Sequence, residues 1–297
     1  MSKSTSKLFI ILTGVLGIVL FSAKAVMVKL AYNYNVSTVN LLLFRMIFSL
    51  PFYVLMAILY KPDRTVYIEK KNYLSLFFFG FIGYYLASFF DFLGLQYIKA
   101  SLERIILFIY PTIVIVLSCL FLKKRIKKIQ IVAIILTYVG VVLASWGDFS
   151  VQGNEFATGA LLIFLSALTY ASYLVGSDWL IPKFGVITFT SYAMIVSCCC
   201  VIIHYLIFER TQLLNYHQNV YFLGLGMAFL STVIPSYLVS YAIKKIGAAD
   251  FSILGSLGPI STIILANIFL GEEISLLQFL GTLVVILGIV IISKSKK

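Results

Sequence analysis

Five ionisable residues lie inside long apolar stretches of the sequence. They are Lys24, Arg45, Asp91, Glu103 and Arg104. A charged side chain at the centre of an apolar helix costs roughly 2.5–3.5 kcal/mol on membrane-insertion scales, so such residues face a cavity or a charged partner. Three basic and two acidic groups have the chemistry to hold an anionic group, to hold an amine, or to carry a proton.

The composition indicates which class of protein surrounds these charges. Of the 297 residues, 61% are hydrophobic and 11% are charged, and the mean hydropathy is +1.04. A soluble domain carries roughly 25% charged residues, so this chain has too few to cover a water-facing surface. We therefore expect a polytopic membrane protein.

Several functional classes lack a signature in this sequence. It contains no phosphate-binding loop, nucleophile elbow or H-E-x-x-H motif, and its two histidines are isolated, so we predict neither an enzyme nor a cofactor. The net charge of +12 does not indicate a nucleic-acid partner, because the basic residues mostly lie in short loops between apolar runs. The cysteines at 198–200 point in three directions around a helix, so we predict no metal site there.

Apolar runs of about twenty residues have the length that a ~30 Å hydrocarbon core requires. We predict an all-α integral membrane protein with ten transmembrane helices, at 8–30, 38–60, 73–98, 101–122, 129–146, 158–181, 186–208, 219–243, 250–270 and 274–293. These helices group into a first five-helix repeat over 1–146, an outer connecting loop over 147–157 and a second five-helix repeat over 158–297.

Lysine and arginine collect at one side of the predicted helices, which is the orientation signal of membrane proteins. The turn after the fourth span holds the run KKRIKK at 123–128, whereas the opposite side holds only Lys29, Lys99 and Arg210. We expect both termini to be cytoplasmic and the protein to lie in the plasma (inner) membrane.

The sequence repeats itself at a separation of 148 positions, the distance from Pro111 to Pro259. Residues 110–142 align with 258–290 without a gap. Each half has five spans, an odd number, so the two halves cross the membrane in opposite senses. Inverted repeats of this kind are an architecture of secondary transporters, which hold their substrate between the halves.

The motifs in these repeats resemble a known family. The sequence YPT at 110–112 opens the fourth span, FL and a charged turn follow, and LLQFLGTLVVILGIVII at 276–292 forms a glycine-bearing final span. This pattern resembles the EamA domain, and two such domains in tandem resemble the drug/metabolite transporter superfamily over essentially the whole chain. The resemblance implies a ten-helix carrier of small metabolites, often an exporter of amino acids or related compounds. The first repeat departs from the family at Lys123-Lys124, where a glycine and a glutamate are usual, but that turn only marks topology.

The rise of about 1.5 Å per residue places the five charges at a similar depth. Lys24 lies about 9 Å below the predicted outer end of its span, Arg45 and Asp91 lie about 10 Å deep, and the other two fall just inside the outer mouth of the fourth span. The second half lacks this layer, because the repeat places Ser172, Ala193, Val239, Phe251 and Ser252 at the equivalent positions. This asymmetry favours a functional role.

Helical spacing adds polar and aromatic groups to this layer. Tyr84, Ser88 and Asp91 recur at i, i+4 and i+7 and share one face of the third span, and the sixth span carries a similar stripe at 166–177. The predicted roles are substrate binding by Lys24, Arg45, Tyr84, Ser88, Asp91 and Tyr173, gating or coupling by Asp91, Glu103 and Arg104, and helix kinks at Pro111 and Pro259.

Simpler roles stay open for the same residues. Lys24 and Asp91 also suit a salt bridge that only fixes helix packing, and Arg45 also suits the capping of loop carbonyl groups. The tyrosines also suit packing or an interfacial belt. Outside the layer, Asp178 is expected to be solvated or to pair with Lys183.

The combined prediction is a secondary-active transporter of small metabolites that works by alternating access. We expect an exporter of amino acids or related carboxylate-bearing compounds, with a small-molecule substrate, the lipid bilayer and a coupling proton as partners, acting as a monomer or homodimer. Two alternatives remain. One is a membrane-embedded enzyme or structural membrane protein whose buried charges form only a packing network, and the other is a channel.

Overall fold

The structure is a computed structural model in which residues 7–62, 68–145, 156–209, 213–271 and 274–294 are described. Within these residues the regular structure is entirely helical. Large apolar side chains are exposed along the helices, for example Leu120 and Phe208, as expected where helices face lipid. The predicted all-α membrane fold is therefore confirmed.

The first half contains seven helices, of which two are joined by a π-helical turn, Phe81–Leu86, that links α3 to α4. The helices are α1 Lys7–Tyr32, α2 Thr38–Leu59, α3 Lys70–Gly80, α4 Ala87–Tyr97, α5 Ala100–Leu107, α6 Tyr110–Leu122 and α7 Lys128–Ser145.

The second half repeats this order, and its π-helical turn, Phe229–Val233, links α10 to α11. Its helices are α8 Phe156–Phe184, α9 Val186–Phe208, α10 Gln218–Ala228, α11 Ile234–Ile246, α12 Ala248–Leu254, α13 Leu257–Leu270 and α14 Leu276–Lys294.

The fourteen helices form ten crossings, because four crossings are each made of two helices: α3 with α4, α5 with α6, α10 with α11, and α12 with α13. In the described part of the chain, seven helical segments are long and apolar enough to span a membrane, and three shorter apolar helices accompany them. This agrees with the predicted architecture of ten spans in two five-helix repeats.

The backbone follows the repeat that the sequence predicts. The two π-helical turns begin at Phe81 and Phe229, which are 148 positions apart. The same separation relates Lys123 and Gly271, which end α6 and α13 in left-handed conformations with φ of 52° and 70°. Because a lysine adopts this conformation at the position of a glycine, the helix ends are set by the repeat rather than by residue type alone.

The helices of the two halves pair symmetrically. Helix α1 packs against α11 and α13, just as its repeat partner α8 packs against α4 and α6, while α2 packs against α9 and α7 against α14. Glycine allows the close approach of α7 to α14: a Cβ at Gly140 would lie 2.7 Å from the carbonyl oxygen of Gly281. Exchange of the halves therefore preserves the packing, as inverted repeats require.

The fourth and ninth spans differ from the continuous helices predicted at 101–122 and 250–270. The helix is interrupted at residues 108 and 109 in the fourth span and at 255 and 256 in the ninth. Pro111 and Pro259 follow these interruptions and lie in the first turn of α6 and α13, where a proline needs no backbone hydrogen bond. Each break therefore lies in the turn that precedes the proline, where the ring crowds the backbone.

Some sequence predictions lie outside the described residues. The predicted connecting loop is one, since only residues 156 and 157 of it are described, and they begin α8. The charged residues near the ends of the predicted spans that also lie outside are Lys3, Arg64, Asp148, Glu155, Arg210, Glu272, Glu273, Lys296 and Lys297.

Candidate functional site

A cavity lies between the two halves, where their irregular backbone segments meet. Phe108 and Gly255 line it from the two helix breaks, and Tyr84 and Thr232 line it from the two π-helical turns. Its volume of about 80 Å³ is small beside the roughly 300–1,000 Å³ of pockets for drug-sized ligands. A larger ligand therefore requires the lining helices to move apart.

Lys24 and Asp91 form an ion pair at the edge of this cavity. The Nζ atom of Lys24 lies 2.5 Å from Oδ2 of Asp91, and their side chains are 12% and 1% exposed. Lys24 belongs to the lining, whereas Asp91 lies behind it. The salt bridge that the sequence allowed as a packing contact is thus present, and it neutralises both charges in a buried environment.

Glu103 and Arg104 lie on the short helix α5, next to this pair. Nε of Arg104 is 3.1 Å from Oε2 of Glu103, and Nη2 of Arg104 donates a hydrogen bond of 3.1 Å to the carbonyl oxygen of Phe21. The Glu103 carboxyl group also interacts with that of Asp91. Arg104 lines the cavity, and Glu103 is buried outside it.

Arg45 lines the same cavity with far weaker compensation for its charge. The residue is 2% exposed, its Nη2 donates a hydrogen bond of 2.7 Å to Oγ of Ser88, and its Cζ lies 5.0 Å from the centroid of the Phe92 ring. In the described part of the chain, no carboxylate oxygen lies within 4.0 Å of its guanidinium group, and its Nε has no hydrogen-bond partner. Asp91 attracts it only from a greater distance.

The five predicted charges therefore lie together, and they leave a residual positive charge. Three cations line the cavity, Lys24, Arg45 and Arg104, and the two acids each pair with one of them. A buried charge without a counter-charge in contact is costly in a membrane protein. Arg45 is the cavity-lining cation without a carboxylate oxygen within 4.0 Å among the described residues.

The remaining predicted residues divide between the cavity and the surrounding core. Tyr84 and Ser88 line the cavity, as do Ser166 and Tyr170 of the predicted stripe on the sixth span. Tyr173 is fully buried and packs edge-on against Tyr84, with ring centroids 4.9 Å apart, so it lies one layer further out.

The sequence reasoning missed an aromatic wall of the cavity. Phe21, Phe108, Tyr110 and Phe251 line it in addition to the predicted tyrosines. Apolar periodicity does not reveal the helix break in which Phe108 lies and which Tyr110 follows, so the sequence did not indicate these two rings. Phe251 was marked by the repeat, since it occupies the position equivalent to Glu103. An acid in one half is thus matched by an aromatic ring in the other.

A second ionic cluster lies away from the cavity and corrects one prediction. Asp178 does not pair with Lys183: its Oδ2 lies 2.5 Å from Nζ of Lys124 and accepts a hydrogen bond of 3.0 Å from the backbone N–H of Ala248. Lys183 instead donates to Oδ1 of Asn72. Lys183 is only five positions from Asp178 in the sequence, whereas Lys124 belongs to the other half and reaches Asp178 through the packing of the two halves.

Broken helices, inverted repeats and a charged cavity between the halves together define a membrane transport protein. The sequence profile of the EamA-like transporter family matches residues 8–146 and 157–294. The chain belongs to this family, and both of its halves carry the match.

Curated relatives agree with this assignment. The chain is 30% identical to the uncharacterized transporter YcbK of Bacillus subtilis (strain 168) over 90% of this chain and 86% of that relative. An uncharacterized transporter of Archaeoglobus fulgidus is 28% identical over 77% of this chain and 80% of its own. A solved crystal structure covers 96% of this chain and 98% of its own with a TM-score of 0.77 and 14% identity, which shows that the fold is shared.

Proposed function

We propose that this protein is a secondary-active carrier that exports small carboxylate-bearing metabolites by alternating access, with the cavity between the halves as the substrate site. The observation that carries the proposal is the buried guanidinium group of Arg45, which lines the cavity and has no carboxylate within ion-pair distance among the described residues. A substrate carboxylate would provide the missing partner, because guanidinium groups bind carboxylates through two parallel hydrogen bonds.

The irregular backbone around the cavity supports alternating access. Two helix breaks and two π-helical turns meet at one point, and interruptions of this kind are common where helices bend or carry function. A structure with symmetrical halves can exchange the arrangement of one half for that of the other, which opens the central site to each side of the membrane in turn.

The distribution of basic residues supports an orientation with both termini in the cytoplasm of the cell, in its plasma membrane. Lys124 and Arg125 lie in the turn between α6 and α7, and a cytoplasmic position for this turn follows the positive-inside rule. We take export as the direction of net transport, as the resemblance to the drug/metabolite transporters implies.

A purely structural role for the buried charges explains only part of the site. It accounts for Lys24 and Asp91, which neutralise each other at 2.5 Å. It does not account for Arg45, because a packing network gains nothing from a buried cation whose Nε lacks a partner. The carrier is therefore favoured over a packing network.

The function is tested by flux measurements in proteoliposomes. The purified protein is reconstituted, and uptake of a panel of labelled amino acids, hydroxy acids and dicarboxylates is compared with that of protein-free liposomes. We expect saturable flux of at least one carboxylate, and a Lys24→Ala variant serves as a site control with reduced flux. Flux that grows linearly with concentration indicates a channel, and the absence of any carboxylate flux contradicts the proposal.

Proton coupling is the finer part of the proposal and has its own test. Asp91 and Glu103 have interacting carboxyl groups beside the cavity and are therefore the groups suited to carry a proton. In an Asp91→Asn protein we expect substrate exchange across the membrane to continue, while accumulation driven by a pH gradient is lost. Accumulation that still follows the gradient rules out Asp91 as the coupling group.

A further inference from the structure

We propose that the cavity selects aromatic carboxylates that carry no amino group, and that it discriminates against amino acids of the same shape. The inference rests on the carboxylate transport proposed above and concerns the class of substrate that the same site takes. It is drawn from the signs of the charges that face the cavity and from the rings that line it.

The charges that face the cavity are all positive. Lys24, Arg45 and Arg104 line it, and within the described residues neither Asp91 nor Glu103 does. Lysine and arginine side chains offer hydrogen-bond donors and no acceptors. An α-ammonium group placed among them therefore meets cationic donors, finds no acid in the lining, and lies beside Arg45, which has no carboxylate oxygen within 4.0 Å among the described residues.

The two acids of the site are held away from the cavity by their own partners. Asp91 and Glu103 are both 0% exposed, and each lies in an ion pair, with Lys24 at 2.5 Å and with Arg104 at 3.1 Å respectively. Release of either acid to bind an ammonium group would leave its cation buried and unpaired, which costs more than the new contact returns.

The serine hydroxyl groups of the lining do not replace the missing acid. Oγ of Ser22 donates to the carbonyl oxygen of Ile18, Oγ of Ser166 donates to that of Ala87, and Oγ of Ser88 accepts from Arg45. A neutral oxygen next to a guanidinium group is a poor site for a second cation.

The apolar part of the lining is largely aromatic. The rings are supplied by both halves: Phe21, Tyr84, Phe108, Tyr110, Tyr170 and Phe251. Aromatic side chains pack favourably edge-on or offset against another ring. Within this lining Tyr110 and Tyr170 already lie edge-on, with centroids 5.5 Å apart, so a ring of the substrate extends an existing arrangement.

Two labelled probes of nearly the same shape separate the inference from its alternatives. L-3-phenyllactate and L-phenylalanine differ only in a hydroxyl group and an ammonium group, and lactate lacks the ring. In wild-type proteoliposomes we expect kcat/KM for phenyllactate to exceed that for phenylalanine, and that for lactate, by at least about tenfold.

Each outcome of this comparison has a distinct meaning. Phenylalanine transported as well as phenyllactate overturns the charge selection and leaves carboxylate transport in place, and lactate transported as well as phenyllactate overturns the aromatic selection. If no carboxylate of the panel gives saturable flux, the proposed function fails and the inference fails with it.

A gain of function tests the same inference from the protein side. Phe251 lines the cavity at the position where the first half has Glu103, so a Phe251→Asp variant adds an acid to the lining, and Phe251→Leu is the matched apolar control. We expect the preference for phenylalanine over phenyllactate to rise at least about tenfold in the aspartate variant relative to the leucine variant. An unchanged preference in a folded, active aspartate variant overturns the inference, and if that variant does not fold the wild-type comparison decides.

Discussion

At the scale of the residue, the site contains two kinds of buried charge with different requirements. Lys24 and Asp91 satisfy each other at 2.5 Å, whereas Arg45 has the Ser88 hydroxyl group and the face of Phe92 and no carboxylate within 4.0 Å among the described residues. Removal of one partner from a buried pair leaves an uncompensated charge, while removal of both does not. Variants of the pair and of Arg45 should therefore behave differently.

The Lys24–Asp91 pair predicts a non-additive effect on stability. Lys24→Met and Asp91→Leu alone should each lower the free energy of unfolding by about 3–5 kcal/mol, because each strands the other charge, and the double variant should recover most of the loss. Unfolding of the purified proteins in detergent measures the effect. A double variant as unstable as the two single losses added together would show that the residues do not act as a pair.

Flux through the double variant measures what the pair does beyond packing. We expect it to fold and to transport carboxylates poorly, since Lys24 lines the cavity and its positive charge is lost. A folded double variant with undiminished flux would show that the pair serves only the packing of the helices.

Two buried tyrosines provide a matched test of which ring faces the substrate. Tyr84 and Tyr173 are both buried and their rings contact each other, but only Tyr84 lines the cavity. Tyr84→Phe should raise the KM of the transported carboxylate about twofold to tenfold, the value of one hydrogen bond, and Tyr173→Phe should leave it unchanged. Equal effects of the two substitutions would contradict the position assigned to the substrate.

At the scale of the element, the halves are joined differently at the two ends of the molecule. At the end that carries the α6–α7 turn, Lys124 pairs with Asp178, which also accepts from the N–H of Ala248 at the start of α12. At the other end, the cross-half contacts include neutral hydrogen bonds, Asn40 to Tyr216 and Asn219 to Tyr34, both at 2.7 Å. In the proposed alternating access, the contacts between the halves at one end separate while those at the other end stay closed.

The contacts of Asp178 with Lys124 and Ala248 predict that Asp178→Asn increases local unfolding at the start of α12. The substitution removes the ion pair with Lys124 and weakens the bond to Ala248, so hydrogen exchange at the start of α12 should become faster while the cavity residues keep their protection. Glu69→Gln is the control, because it removes an exposed pair with Lys71 of the kind that contributes little. Equal exchange in both variants would show that the Asp178 contact does not hold the two halves together.

At the scale of the whole molecule, the repeat explains which features the sequence predicted. The lengths of the apolar runs predicted the ten membrane crossings. The offset of 148 residues that the sequence shows also relates the π-helical turns that begin at Phe81 and Phe229. The depth of Lys24, Arg45 and Asp91 followed from the helical rise, so their proximity was predictable. The partner of Asp178 was not, because it lies in the other half and depends on how the halves dock.

The helix breaks mark a second limit of the sequence. Residues 108 and 109 are as apolar as their neighbours, and periodicity cannot show that the backbone there leaves the helix. The sequence also did not predict that Glu103 and Asp91 are buried behind their basic partners. Spacing along one helix does not determine which charges on another helix a residue pairs with. These details determine the sign of the charge that faces the cavity, and they depend on how the two halves pack against each other.

The central claim is that Arg45 binds the carboxylate of the substrate, and one measurement tests it most directly. Saturable carboxylate flux is measured in proteoliposomes for the wild type, for Arg45→Gln, and for Arg125→Gln, which makes the same chemical change at an exposed position outside the cavity. We expect Arg45→Gln to lower kcat/KM by about thirtyfold or more, the effect of removing one partner of a buried charge pair, and Arg125→Gln to match the wild type. Equal kcat/KM for a folded Arg45→Gln protein and the wild type would contradict the account.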